Sequence, residues 1–311
     1  MFSRKVNYRD IIILKSRTME LSDLRVFRTV VEAGGVLRAA DRLHRVPSNV
    51  TTRIRKLEAD LGVMLFIREG RRLKISPTGR LLLDYAERLL NLADEAREAL
   101  HDDRPRGTLR LGSMESTAAG RLPRPLSLFH RRHPEVAVEL HTGATSPLID
   151  QVLAGELDAA LVIEPVDDPR LSTVPVFVET LVLVTAAGHP RIRAPRDVRK
   201  RTLLAFHHGC PHRQRLEEWF AQDGKPPERL IELASYHAIL GCAAAGMGVA
   251  LVPRSVLATF GEKARLSVHP LAGKFRTART LLIRRQGPPS AKFRALAAAL
   301  ADGTSTKESS V

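Results

Sequence analysis

Ser48, Asn49, Thr51, Thr52, Arg53, Arg55 and Lys56 crowd into one short stretch, and the apolar residues interleaved with them, Val50, Ile54, Leu57 and Leu61, recur at i, i+4, i+7 and i+11. On a helix that spacing gathers the four apolar side chains into one buried stripe and turns the polar ones outward or sideways. Asn and Arg make bidentate hydrogen bonds with the edges of adenine and guanine, hydroxyls serve several bases, and Lys neutralises phosphate. The chemistry on offer is therefore recognition of duplex DNA. An ordinary solvated helix face would look similar in isolation, so the surrounding elements decide.

Those elements form a recognisable set. Leu24, Phe27, Val30 and Val31 make a first helix behind the N-cap candidate Ser22, and Gly34-Gly35 stops it. Ala39, Ala40 and Leu43 make a short second helix, small enough for another to pack closely; His44 to Pro47 is a turn; Ser48 can cap the third helix and Gly62 ends it. Residues 65–68 and 71–75 form a basic ribbon around Glu69-Gly70. Helix, turn, helix and ribbon in that order predict a winged helix-turn-helix over residues 19–76. From Met19 to Arg80 there are 13 Lys and Arg against 7 Asp and Glu, a net charge of +6 that suits a phosphate-facing surface. The candidate DNA contacts are Arg38, Pro47, Ser48, Asn49, Thr51, Thr52, Arg53 and Lys56, with Arg71 and Arg72 on the ribbon. Arg53 is expected to read bases and Arg71 to hold phosphate without regard to sequence.

Ser76-Pro77 is an N-cap followed by a helix-start proline, and the chain favours helix from there to about Asp102. Leu82, Tyr85, Leu89, Leu92, Ala96 and Leu100 repeat at steps of three and four, the pattern of a helix that pairs with another. Dimerisation is the natural use; packing on the chain's own domains is the alternative. Arg104-Pro105-Arg106-Gly107 then reads as a hinge, closing a linker segment at 77–106.

From residue 107 to 301 strand and helix signals alternate, with strands at 108–113, 136–141 and 158–163 and helices at 118–130 and 146–155. A second unit over about 181–269 has strands at 182–184, 203–206 and 249–252, and a final strand and helix at 281–300 return to the first. This order predicts an α/β fold of two lobes with a cleft at the carboxyl ends of strands, where small ligands bind. Three loops lead into helix N-termini there, 113–117, 145–147 and 207–211, and free N–H groups at such ends favour anions. Ser113, Ser116, Thr117, Thr145, Ser146 and His208 are candidate ligand contacts, with plain N-capping as the competing role for the hydroxyls. Glu115 would repel an anion and attract an amine, and Glu164 at the end of its strand could do the same.

Over the whole 311 residues, 49 Lys and Arg outnumber 34 Asp and Glu, so the molecule attracts polyanions. Its size and 44% hydrophobic content suffice for two or three cores. The apolar run at residues 11–14 is too short for a membrane span or a secretory signal, which makes the cytoplasm, beside the nucleoid, the expected location. Cys210 and Cys242 lack metal spacing and read as idle thiols. Residues 1–18 are a basic extension without helical periodicity, and 302–311 read as a disordered tail. No Gly-x-Ser-x-Gly elbow or phosphate-binding glycine loop occurs, and His207, His208 and His212 lack partners for a metal; Gly246-Met247-Gly248 precedes a strand, the wrong context for a dinucleotide. The expectation is no enzyme, no metal and no cofactor. A ligand-independent architectural DNA binder remains the rival reading, and it would have no need of a two-lobed α/β region.

The run from Phe27 through Glu58, followed by Leu61-Gly62, Leu65-Phe66, Arg68 and the Ser76-Pro77-Thr78-Gly79 corner, resembles the N-terminal domain of LysR-type transcriptional regulators, and the resemblance extends from about Met19 to about Ala301. It implies an α/β protein overall: a winged helix-turn-helix, a dimerising linker helix, and a two-lobed C-terminal domain similar to periplasmic binding proteins with an inducer between the lobes. It also implies promoter DNA, RNA polymerase and a homodimer, paired into a homotetramer, as partners. Pro47 stands where many members carry glutamine, and it cannot donate a hydrogen bond, so their operators do not transfer. The runs at residues 45–53 and 115–119 and Ser235-Tyr236-His237 are similar to the branch that contains the putrescine-utilisation regulator. That implies a polyamine, an amino acid or a related amine as inducer, with Glu115 and Glu164 as countercharges and Tyr236 and His237 lining the second lobe.

Overall fold

The computed structural model describes residues 19–69, 72–100, 104–224 and 226–305. The chain divides into two units, 1–97 and 98–311. The extension at 1–18, Gly70 and Arg71 of the ribbon, and residues 306–311 lie outside the described residues.

In the first unit, α1 (Leu21–Ala33), α2 (Val36–Arg42) and α3 (Pro47–Leu61) precede a ribbon of β1 (Phe66–Glu69) and β2 (Arg72–Ile75), paired antiparallel with Phe66 opposite Ile75. The helix ends obey local chemistry, although two caps differ from expectation. α1 begins one residue before Ser22, with Glu20 at its N-cap. α3 begins at Pro47 with Val46 at the N-cap, so Ser48 is inside the first turn; a proline there gives up an N–H that would have had no partner anyway. Gly34 (φ 66°) and Gly62 (φ 71°) end α1 and α3 in the left-handed conformation that glycine adopts without strain. Leu24, Phe27, Val30, Ala39, Ala40, Val50, Ile54, Leu57 and Leu65 form the core, and Phe27 meets Phe66 edge to face at 5.5 Å. Glu58 Oε1 accepts the N–H groups of Leu65 (2.8 Å) and Phe66 (3.2 Å), tying α3 to the start of the ribbon.

α4 (Pro77–Leu100) is capped as foreseen: Ser76 Oγ accepts from Gly79 N at 2.8 Å and donates to Met64 O at 2.7 Å. Its apolar stripe, however, is divided between two faces. Ala86 and Leu90 are fully buried in the core of the first unit, with Leu82 and Leu83 packed beside them. Leu81 (59% exposed), Tyr85 (52%), Leu89 (37%) and Leu92 (59%) form a separate exposed row.

In the second unit β3 (Gly107–Ser113) lies between the edge strand β4 (Val136–Thr142) and β5 (Ala159–Ile163), parallel to both. Between β3 and β4 the expected single helix is two, α5 (Glu115–Gly120) and α6 (Pro123–Arg132), because Pro123 cannot continue the first and instead starts the second. α7 (Thr145–Ala154) connects β4 to β5. β6 (Leu171–Ala186) is one strand of 16 residues, of which the sequence pattern revealed only 182–184. Its first part pairs with β11 (Thr277–Arg285), which also pairs with β5; its second part, from Leu181, pairs with β9 (Ala250–Pro253) and, from Val182, with β10 (Leu266–Pro270). A single strand thus belongs to both lobes. The second lobe is completed by β7 (Thr202–Ala205) parallel to β8 (Arg229–Glu232), with α8 (Pro211–Ala221), α9 (Tyr236–Ala244) and α10 (Arg254–Thr259).

β5 explains why a parallel strand reads as a continuous apolar run. Ala159 and Leu161 face a core with Leu109, Phe129 and Leu296, while Ala160 and Val162 face another with Leu148 and Val152. α11 (Ala291–Ser305) packs on the first of these, and residues 302–305, assigned by sequence to a tail, are helical.

Candidate functional site

Ser48, Asn49, Thr52, Arg55 and Lys56 are exposed on α3, Thr51 partly so, and Pro47 opens the helix beside them. Thr51 Oγ1 donates to Pro47 O (3.0 Å), and Arg45 reaches Asn49 Oδ1 at 3.3 Å. Arg38 is exposed on α2 and bonds Gly34 O at 2.9 Å. Arg53 is engaged within the protein. Its Nη1 lies 2.7 Å from Asp23 Oδ1 and 3.0 Å from Ser22 Oγ, and Lys56 Nζ is 3.3 Å from Asp23 Oδ2. Asp23 is buried, so this is a clasp between α1 and α3 around one desolvated carboxylate, and Arg53 is held within it. Asp23 raises the Lys56 ammonium, whose side chain remains largely exposed. Arg55, which the helical spacing turns outward but which was not among the candidate contacts, is exposed and has no ion-pair partner among the described residues. Arg72 begins β2, and Arg71 falls outside the described residues.

In the second unit a cavity of about 410 Å³ opens between the lobes, within the size range of small-molecule sites. Met114, Glu115 and Ser116 at the start of α5 and Thr142, Gly143 and Ala144 before α7 line it from the first lobe. From the second come Phe206, His207, Cys210, Pro211, His212, Glu232, Leu233, Ala234 and Tyr236. Of the candidates named from sequence, Glu115, Ser116 and Tyr236 meet here. Ser113, Thr117, Thr145, Ser146, Glu164, His208 and His237 are not among the lining residues. Ser113 is buried with its hydroxyl on Met114 O, Thr145 Oγ1 reaches Met114 Sδ at 3.6 Å, Glu164 lies 4.0 Å from Arg279, and His237 stacks edge to face on Phe260. Phe206 was read only as the end of an apolar strand and His212 as a polar loop residue; the fold buries His212, in the first turn of α8, against Tyr236 and sets Phe206, just after β7, edge to face on Tyr236 at 4.8 Å.

The electrostatics of the cavity come from desolvation. Burial raises the Glu115 carboxyl, opposed only by the Tyr236 N–H at 3.5 Å from Oε1; its Oε2 is buried without a partner among the described residues. Tyr236 is pushed well above the usual phenol range by burial, and its hydroxyl bonds Ser116. Burial also raises the Cys210 thiol, whose sulfur accepts the N–H groups of Arg213 and His212, so little thiolate forms and a redox role gains no support. His212, buried and with Nδ1 unpartnered among the described residues, is lowered to about 4, first by burial and then by the charge of Arg215.

Since the folded His212 binds protons less readily than the unfolded one, at 6.5, it should stabilise the domain above pH 6.5. That stability is lost as pH falls from there towards 4. Unfolding in urea at pH 7 and pH 4.5 should differ by about 2 kcal/mol from this group. Glu115 acts in the opposite sense, its burial cost being relieved on protonation, so the assignment is checked by His212→Phe. If the pH dependence is unchanged in that variant, His212 is not its source.

Residues 21–80 match the family described as bacterial regulatory helix-turn-helix protein, lysR family, and residues 102–305 match the LysR substrate binding domain. The chain is 38% identical over 269 residues to the HTH-type transcriptional regulator GltR of Bacillus subtilis (strain 168), covering 86% of this chain and 91% of that one. It is 39% identical over 254 residues to the uncharacterized HTH-type transcriptional regulator YusT of the same strain, covering 81% and 85%. Among solved structures, a variant of full-length OxyR from Pseudomonas aeruginosa aligns with a TM-score of 0.68 at 25% identity, over 92% of this chain and 97% of that one. No helix among the described residues is long and apolar enough to cross a membrane.

Proposed function

The chain belongs to the LysR family of transcriptional regulators, and on that premise we propose that it binds promoter DNA as a homodimer through α3 and responds to an amine or amino acid held between its lobes. That it is a regulator with DNA-binding and effector-binding domains, and not an enzyme, follows from the family. The finer reading of the effector is supported chiefly by one observation: Glu115, a carboxylate raised by burial and with one oxygen unpartnered among the described residues, lines the inter-lobe cavity. Such a group costs stability when the cavity is empty, and a cationic ligand would offset that cost.

The exposed row on α4 supports the dimer, which would present two copies of α3 to two half-sites. Pairs of dimers would span two sites near a promoter. A ligand that favours one lobe arrangement over another would shift the balance between states and so change recruitment of RNA polymerase. Such a protein works in the cytoplasm, on the nucleoid.

Base reading falls to Asn49, Thr52 and Arg55, with Ser48 and Lys56 beside them. Arg55→Ala is expected to cost roughly 1–3 kcal/mol of discrimination between operator and scrambled DNA with thermal stability unchanged. Arg53→Ala should instead lower stability and weaken binding to both duplexes alike, because it releases the Asp23 clasp. Competition gel shifts together with melting curves separate the two. Full discrimination retained by Arg55→Ala would remove that residue from the base-reading set. For the function as a whole, footprinting in living cells that recovers no enriched promoter motif would overturn the reading.

A further inference from the structure

Resting on the assignment of the inter-lobe cavity as the effector site, and narrowing it, we infer that the effector is a singly charged amine with an apolar body, its ammonium on Glu115 and its body against Phe206, Pro211, Leu233 and Tyr236. No Lys or Arg lines the cavity among the described residues, and its two ionisable acids are Glu115 and Glu232. The nearby guanidinium groups are committed elsewhere. Arg213 pairs with Glu217 (2.8 Å) and Glu232 (3.0 Å), and Arg215 donates to the carbonyls of Lys274 (2.8 Å) and Thr277 (3.2 Å). An anion entering this space would meet a carboxylate and no Lys or Arg, the imidazoles of His207 and His212 being the other ionisable nitrogen groups of the lining.

Glu115 is the one lining carboxylate without an ion-pair partner among the described residues. Glu232 is engaged by Arg213, which it shares with Glu217, and Glu164 does not line the cavity. A diamine would have to leave its second ammonium against Phe206, Tyr236 or the neutral imidazole of His212, or draw Glu232 away from Arg213. An amino acid would need donors for its carboxylate, and the lining side chains offer hydroxyl, thiol and imidazole groups, Thr142 and His207 among them, but no Lys or Arg. The first turn of α5 carries Glu115 itself, and the N–H groups of His212 and Arg213 at the start of α8 are taken by the Cys210 sulfur. α7 borders the cavity through Ala144, yet Pro147 removes a donor from its first turn and neither Thr145 nor Ser146 lines the space. What remains is one carboxylate lacking a charged donor inside a mostly apolar wall, which suits one ammonium on an apolar frame.

The test is a thermal-shift series on the full chain with 2-phenylethylamine, hexylamine, putrescine, phenylalanine, succinate and the neutral 2-phenylethanol, repeated on Glu115→Gln and Ala234→Trp. At equal concentration the monoamines should raise the melting temperature by several degrees and the others by less. Glu115→Gln should weaken monoamine binding at least tenfold and, without ligand, melt higher than the native chain. A larger shift with putrescine, phenylalanine or succinate overturns the inference, as do equal shifts with amine and alcohol, no shift with either monoamine, or undiminished binding by Glu115→Gln. The ligand series on the native chain needs no variant to fold. Ala234→Trp fills the cavity: a shift by another ligand class that it abolishes leaves the cavity as the effector site with only the class wrong. A monoamine shift that it does not touch overturns the cavity assignment itself.

Discussion

A chain carrying Leu89→Arg and Leu92→Arg together is expected to run as a monomer and to bind operator DNA roughly a hundredfold or more weakly than the native protein, because a linked pair of DNA-binding modules exceeds one module by that order. Both leucines lie on the exposed row of α4 and outside the core formed by Ala86 and Leu90. Guanidinium groups there cost little in a monomer and are strongly unfavourable when buried face to face. The circular dichroism of the variant should be native, which separates lost assembly from lost folding. Sedimentation velocity measures the outcome directly: a dimer that persists with undiminished affinity would place the interface elsewhere.

Gly79→Ala should be nearly as damaging by a different route. A Cβ at this position would sit 2.2 Å from Leu65 O and 2.8 Å from Ile75 Cγ1, with backbone on one side and the ribbon on the other. The first turn of α4 is pinned there by Ser76 and Thr78, both bonded to Met64 O at 2.7 Å, so it cannot retreat without breaking its own cap. Overpacking against backbone is expected to cost about 3 kcal/mol or more, a large share of the stability of a domain of this size. In urea the unfolding of the first unit should shift to lower concentration while that of the effector domain holds. A variant as stable as the native chain would mean that the ribbon and α4 are not locked together at this corner.

How far the sequence could be read depended on whether the deciding interaction was local. Gly34, Gly62 and the Ser76-Pro77 cap act within a few residues, and the elements they bound were legible. The apolar spacing of α3 likewise fixed which of its faces is buried. The engagement of Arg53 by Asp23 was not legible because Asp23 lies on another helix, and a helical wheel cannot distinguish an outward arginine from one folded back onto a buried acid. β6 was under-read because Pro175 interrupts its first part, where burial is mixed, while the continuous apolar run at 181–184 lies in the stretch that is buried throughout. The cavity was legible at Glu115, Ser116 and Tyr236. His212 and Phe206 enter it only through packing between distant segments, where a histidine written among polar loop residues becomes a neutral, desolvated ring.

The strand common to both lobes sets a limit on how the effector domain can move. At Leu181, β6 exchanges its β11 neighbour for β9 and β10 without any intervening loop, so rocking of one lobe must be taken up by small torsions spread over laddered peptide groups. A hinge built in this way permits short arcs and springs back. Occupancy of the cleft would then be conveyed as a modest angular bias, graded by how tightly the guest is gripped, with the amides around Thr180 staying slow to exchange with deuterium whether the cleft is filled or empty.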